Sequence, residues 1–119
     1  INLKYDLIVS NPLYLTNKQF NNAQPEVRNY EPKLALVGGE DGLKFYREYS
    51  NKLVKLMNKN AYFVCEIGID QRKNCEEIFQ NSGLFLNKIV NDFQGIERIL
   101  SFSKIWVELN KMNCIGYTI

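Results

Sequence analysis

The string Ser10-Asn11-Pro12-Leu13-Tyr14 is the part of the chain whose residue types and spacing point most directly to chemistry. A proline after Asn11 excludes a helical continuation and holds the asparagine in an extended conformation. Pro12 has no N–H, and its carbonyl is held in a fixed direction. The side-chain oxygen of Asn11 and the backbone carbonyl of Pro12 can therefore present two acceptors to one guest. Such a pair suits a planar –NH₂ group, which has two hydrogens to donate, and Tyr14 offers a flat face on which that group can stack.

The same residues also have a plainer interpretation. An Asn-Pro pair often does no more than end a strand, and Tyr14 could simply pack under the loop that follows. The pentapeptide alone does not decide between the two interpretations, so the elements around it must be considered.

The elements that would position this string begin with a strand at its N-terminal side. Tyr5–Ser10 contains a continuous apolar run, which predicts a strand covered on both faces, as in a parallel sheet. Residues 15–40 contain two prolines and the Gly38-Gly39 pair, and they predict a long loop with at most a turn or two of helix. Loops of this length in compact domains are usually functional or disordered.

A helix is predicted from Asp41, which can cap it, to about Lys59, with Asn60 as the left-handed residue that ends it. Apolar side chains at near-helical spacing support this prediction: Leu43, Tyr46, Leu53, Val54 and Met57. The apolar run over 61–67 predicts the second strand, which stops at Gly68.

A second helix is predicted over 70–81, with Gly83 as its C-terminal stop. Strands are predicted over 84–90 and 98–103, joined by a turn at Gln94-Gly95, and residues 105–119 form either a last strand or a tail. Strands that alternate with helices indicate an α/β fold with a mostly parallel sheet, closed here by an antiparallel hairpin. Because ligands bind beyond the carboxyl ends of such strands, Asn11–Tyr14 lies where chemistry is expected.

Composition excludes several kinds of chemistry. The 119 residues include no histidine, which removes histidine general bases, Ser-His-Asp and Cys-His schemes and histidine-ligated metals. We expect no metal site, and we interpret Cys65, Cys75 and Cys114 as small buried residues rather than redox or metal-binding groups. A net charge of +2 is too small to support a nucleic-acid partner on charge alone, and we expect none. No apolar run approaches the roughly 18 residues of a membrane span, so we expect a cytoplasmic protein.

The segment after the Asn-Pro motif resembles the HemK/PrmC family, the peptide chain release factor glutamine methyltransferases. The matching string is Glu31-Pro32, Ala35-Leu36 and Gly38-Gly39-Glu40-Asp41-Gly42, and the resemblance continues through Cys65-Glu66-Ile67-Gly68, Gln71, Asp92, Gly95 and Arg98. It spans roughly residues 5–104, which we predict to be a partial catalytic domain, with 105–119 as an uncertain tail or last strand.

The resemblance implies the C-terminal portion of a class I, Rossmann-like methyltransferase that uses S-adenosyl-L-methionine. In that family the methyl group goes to the side-chain amide nitrogen of a glutamine in a release factor. Carried over by position, Asn11 accepts from the target amide and lies against the cofactor. Pro12 supplies the carbonyl acceptor, Leu13 lines the substrate site, and Tyr14 walls the amide plane. Fixed acceptors and positioning then supply most of the catalysis without a classical base.

The sequence departs from the family in two places. Leu13 stands where the family has a second proline, which frees a backbone dihedral angle and adds an N–H to a site of acceptors. The family's glycine-rich cofactor turn and its acidic residue have no counterpart before Tyr5, and Gly38-Gly39 forms no G-x-G-x-x-G turn. The family's N-terminal release-factor-binding region is also not found here. We therefore expect the chain alone to bind the cofactor poorly and to be inactive.

Two other functions stay open from the sequence. One is an amino-methyltransferase acting on adenine or guanine in nucleic acid, whose targets are also planar amines. The other is a truncated remnant without activity. In the class I sheet order 3-2-1-4-5-7-6, the strands here correspond to strands 4 to 7. Tyr5–Ser10 would then be a bare edge, prone to pair with a missing N-terminal half or with a second copy.

Three further residues have open roles. Glu66, at the end of the second strand, either faces the site or anchors a loop. Asp92 and Arg98 either contact ligand or form an ion pair that supports the last hairpin.

Overall fold

The computed structural model describes residues 3–11 and 42–113, which form one mixed sheet and two helices. The strands are β1 (Tyr5–Ser10), β2 (Met57–Glu66), β3 (Phe85–Asn91), β4 (Glu97–Ser103) and β5 (Asn110–Asn113), and the helices are α1 (Lys44–Lys55) and α2 (Arg72–Asn81). The predicted loop over 15–40, the Asp41 cap, Pro12, Leu13, Tyr14 and Cys114 lie outside the described residues.

The sheet has the order β1-β2-β4-β3-β5. Strand β1 runs parallel to β2, β4 runs antiparallel to both β2 and β3, and β5 runs parallel to β3. Four of the five strands therefore point the same way, which confirms the mostly parallel sheet with an antiparallel hairpin. The order β1-β2-β4-β3 is also the order expected for strands 4, 5, 7 and 6 of a class I methyltransferase sheet.

Both helices pack on one face of the sheet, and the core lies between them and the central strands. The rings of Tyr46 in α1 and Phe79 in α2 meet Phe63 of β2, with centroids 6.1 and 4.9 Å from the Phe63 ring. Phe102 of β4 stacks beside them, 5.1 Å from Phe79. These four rings, which we call the aromatic cluster, are all buried. Burial of such large apolar surfaces is the main source of stability for the fold.

The predicted end of the first helix is wrong. Helix α1 ends at Lys55, and Met57 begins β2, so Asn60 lies inside a strand rather than in a left-handed cap. Tertiary contacts start the strand early: the Tyr5 N–H donates to the Leu56 carbonyl at 2.7 Å, and Met57 is fully buried. The apolar side chains near the end of α1 keep a helical spacing into β2, so spacing alone could not show where the helix stops.

The predicted bounds of the second helix are closer to those observed. Asp70 has a φ of 63°, which no helix interior accepts, so α2 begins two residues later, at Arg72. Gly83 ends the helix as predicted, with a φ of 94° in the region that favours glycine. Cys75 and Phe79 face the core.

At β1 and the neighbouring part of β2, the face of the sheet opposite the helices is open in the part of the chain that the structure describes. Leu7 and Val9 of β1 are 58% and 69% exposed, and Tyr62 of β2 is 52% exposed. Strand β1 is also the outermost strand on its side of the described sheet. Association through this edge, with a second copy or with an upstream segment, stays a prediction.

Residues 110–113 form a strand, β5, with four exposed side chains.

Neither helix among the described residues is long and apolar enough to cross a membrane.

Candidate active site

Asn11 lies at the carboxyl edge of two adjacent parallel strands. It follows Ser10, the last residue of β1, and Ser10 is paired with Cys65 near the end of β2. Asn11 is exposed, and half-buried Glu66 occupies the next position on β2. The structure thus puts Asn11 at the edge where ligands of open α/β sheets bind. The other predicted site residues, Pro12, Leu13 and Tyr14, lie outside the described residues, so the predicted pair of acceptors stays a prediction.

The turn after β2 is closed by its own hydrogen bonds. The Gly68 N–H donates to Gln71 Oε1 at 2.7 Å, and the Gln71 N–H returns to the Gly68 carbonyl. A Cβ at Gly68 would lie 3.3 Å from Gln71 Oε1, which leaves little room for a larger residue. The Gly68 N–H is therefore already bonded to a side chain of its own turn.

Four hydroxyl and thiol groups, of Ser10, Tyr46, Cys65 and Cys75, lie directly beneath this edge, and we call them the hydroxyl–thiol cluster. The Tyr46 hydroxyl donates to Ser10 Oγ at 3.2 Å. Burial, followed by the nearby Cys65, raises the pKa of Tyr46 far above its ordinary value, so the hydroxyl stays protonated and remains a donor. A hydrogen bond with Cys65, followed by burial, raises the pKa of Cys75 in the same way.

The two cysteines of the cluster are shielded from solvent. Cys65 and Cys75 are free and fully buried, and the nucleophilic form of a cysteine is the thiolate, which the raised pKa of Cys75 disfavours. The burial of Cys65 and Cys75 agrees with their interpretation as small buried residues. Within residues 3–11 and 42–113, no group of three or more potential metal ligands comes together.

Asp92 and Arg98 form a structural ion pair in the turn between β3 and β4. Asp92 Oδ2 accepts from Arg98 Nε at 3.1 Å, and Oδ1 accepts from the N–H groups of Gln94 and Ile96 at 2.8 and 3.0 Å. Gly95 completes the turn with a φ of 80°. Of the two roles left open by the sequence, support of the hairpin accounts for every hydrogen bond described for Asp92.

Comparison with known proteins shows which enzymes this chain is similar to. The chain is 40% identical over 101 residues to the release factor glutamine methyltransferase of Fusobacterium nucleatum subsp. nucleatum, a match that covers 85% of this chain. It is 39% identical over 101 residues to the enzyme of the same name from Agrobacterium fabrum, again over 85% of the chain. The chain is related to the HemK/PrmC methyltransferases. No family model matches it.

A solved HemK/PrmC-type structure shares the fold. It is the release-factor-specific protein-(glutamine-N5) methyltransferase of Alicyclobacillus acidocaldarius, with a TM-score of 0.51 and 23% identity. The match covers 83% of this chain and 48% of that one. The chain spans only 28% and 35% of the length of the Fusobacterium and Agrobacterium relatives. The chain therefore has the fold of the matching part of this longer methyltransferase.

Sequence reasoning missed the link between Tyr46 and Ser10. It placed Tyr46 correctly in the core as one of the apolar positions of α1, but it gave the hydroxyl no partner. A signal was present, because a tyrosine on the buried face of a helix must bring its hydroxyl to a hydrogen-bond partner. In this relative of the HemK/PrmC methyltransferases, that partner is the residue just before the predicted site.

Proposed function

We propose that this chain holds the acceptor group in a methyltransferase that modifies the side-chain amide of a glutamine in a peptide chain release factor. The observation that carries the proposal is the position of Asn11, exposed at the carboxyl end of β1 beside the end of β2. The names of the curated relatives supply the substrate class. Because release factors act during translation, a cytoplasmic location is part of the same proposal.

The proposed site must make the nitrogen of a glutamine amide more nucleophilic. Its lone pair is delocalised into the carbonyl, so it is a poor nucleophile at neutral pH. In the proposed site, the side-chain oxygen of Asn11 and the carbonyl of Pro12 accept the two N–H groups of the glutamine amide, and Tyr14 lies against its plane. Fixed acceptors on both hydrogens return electron density to the nitrogen and hold it in line for attack. Leu13 adds an N–H beside these acceptors, which weakens their preorganisation.

Among the described residues, we propose a single contact with the cofactor, at Asn11. When bound, S-adenosyl-L-methionine supplies a methyl group activated by a positively charged sulfur. Asn11 is exposed at the ligand-binding edge and is suited to lie against it. The other turn at this edge gives no free donor from Gly68, whose N–H is held by Gln71. We therefore propose Asn11 as the contact that the described residues make with the cofactor.

The proposal is tested on the full polypeptide encoded by the same reading frame, below called the encoded polypeptide. It is incubated with methyl-labelled S-adenosyl-L-methionine and one of three acceptors: a release factor, the same release factor with its acceptor glutamine replaced by alanine, or adenine- and guanine-containing nucleic acid. We expect label in the first acceptor alone. Label in the nucleic acid would favour the amino-methyltransferase alternative, and no label in any acceptor would favour the remnant without activity.

The role of Asn11 has a variant test with a matched control. Asn11→Ala should lower kcat by about 100-fold or more, because it removes a fixed polar contact to the reacting group. Asn51→Ala changes an exposed asparagine on α1 in the same chemical way and should leave kcat within about twofold. Equal activity of the two variants would exclude Asn11 from the site.

A further inference from the structure

We infer that Tyr46 and Ser10 are positioning residues for Asn11, acting through the hydrogen bond between their hydroxyl groups. This inference rests on the proposed function, because it assigns both residues to the support of the acceptor-binding site. The bond fixes the end of β1 and thereby the direction in which the chain leaves the sheet at Asn11. Neither residue touches substrate or cofactor in this proposal.

The geometry favours a rigid support. The Tyr46 hydroxyl donates to Ser10 Oγ at 3.2 Å across 36 positions of sequence, so it ties α1 to the last residue of β1. The Tyr46 ring is only 2% exposed, and it is held edge-on against Phe63 and Phe79. A donor on so confined a ring cannot move away from Ser10 without disturbing the core.

The recipient of the bond is one residue from the site. Ser10 is paired with Cys65 of β2, so its backbone is held by the sheet on one side. On the other side, β1 is the outermost strand of the described sheet, and its neighbouring residues Leu7 and Val9 are largely exposed. The hydroxyl of Tyr46 thus reaches β1 from the helix layer, at the last residue of the strand. A small shift in the position of a catalytic group is enough to lower a rate by one or two orders of magnitude.

A merely structural bond would behave differently from a positioning bond. Loss of a structural bond lowers the stability of the whole fold and leaves the kinetics of the folded fraction unchanged. Loss of a positioning bond lowers kcat in protein that is fully folded, with little change in KM, because the substrates still bind but are held less accurately.

The experiment uses Tyr46→Phe in the encoded polypeptide, assayed with S-adenosyl-L-methionine and a release factor. The variant removes one hydroxyl and keeps the ring in the aromatic cluster. We expect kcat to fall about tenfold, with both KM values within about twofold of the parent. Tyr49→Phe is the matched control, since it makes the same change on the same helix at a tyrosine that is 42% exposed. The control should retain the parent kcat and KM.

Variants of the partner complete the test. Ser10→Ala should lower kcat as much as Tyr46→Phe does. The double variant should lower kcat no further, because the two substitutions remove the same hydrogen bond. Ser10→Thr keeps a hydroxyl and should restore most of the parent kcat. If Tyr46→Phe does not fold, the comparison of Ser10→Ala with Ser10→Thr decides the question alone.

The outcomes separate this inference from the function on which it rests. If Asn11→Ala abolishes transfer while Tyr46→Phe and Ser10→Ala retain the parent kcat, the inference is wrong and the proposed function stands. Additive losses in the double variant would also overturn it, since the two hydroxyls would then act independently. If the parent polypeptide transfers no methyl group to a release factor, both proposals fail together.

Discussion

A single carboxylate, Asp92, organises the turn between β3 and β4, and its protonation should therefore control local stability. Two backbone N–H groups and the Arg98 side chain donate to it. Partial burial raises the pKa of Asp92, but hydrogen bonds from Ile96, Arg98 and Gln94 outweigh that effect and hold the pKa below its ordinary value. A lowered pKa in the folded state means that the ionised form stabilises the fold.

This gives a prediction with a defined pH dependence. The stabilisation is fully present above the pKa of unfolded aspartate, about 3.9, and is lost as the pH falls through the lower pKa of the folded state. Asp92→Asn should therefore lower the urea midpoint of the encoded polypeptide at pH 7, and the deficit should shrink as the pH is lowered to 3. Glu48→Gln removes an exposed carboxylate and controls for the change in net charge. A deficit that stays constant between pH 7 and pH 3 would contradict the account.

At the scale of elements, α2 is held to the sheet mainly by Phe79. Its ring is fully buried and lies 5.2 Å from Tyr46, 4.9 Å from Phe63 and 5.1 Å from Phe102, centroid to centroid. Phe79→Ala should lower the free energy of unfolding by about 3–5 kcal/mol, the range for an aromatic side chain removed from a packed core. Urea unfolding followed by circular dichroism measures the change.

A matched control separates packing from residue type. Phe93 lies in the turn after β3 and is 67% exposed. Phe93→Ala should change the free energy of unfolding by no more than about 0.5 kcal/mol. If both alanine variants lose the same stability, the aromatic cluster is not the centre of the core.

The elements also show what the sequence could predict and why. Apolar runs and breakers predicted the four strands before β5, a second helix over 70–81 and the sheet that the strands form, because these signals are local. The end of α1 was not predictable, since Met57 keeps a helical spacing and only its pairing with Tyr5 reveals a strand. The bond between Tyr46 and Ser10 joins residues far apart in the sequence, and periodicity carries no information about such a pair. The proposed role of Asn11 rests on a motif and a resemblance rather than on any local pattern.

At the scale of the whole molecule, the order of the sheet sets a gradient of protection. β2 and β4 each have a strand on both sides, whereas β1 and β5 are the outer strands of the described sheet. Every side chain of β5 is exposed, while Phe63 and Leu100 of the central strands are fully buried. Backbone hydrogen bonds beside a buried core open only with the whole fold, but those at an exposed edge open locally.

Native-state hydrogen exchange measures this gradient. Amides of β2 and β4 should exchange only through global unfolding, and amides of β5 should exchange at least about a hundredfold faster. β1 is the informative strand, because it has a single described neighbour and an open apolar face. In the 119-residue chain at low concentration, we expect its exchange to resemble that of β5. If β1 becomes as protected as β2 in the encoded polypeptide, an additional segment pairs with its free edge. If protection of β1 instead rises with the concentration of the 119-residue chain, a second copy pairs with the free edge. If β1 is already as protected as β2 in the dilute chain, the edge of β1 is not free.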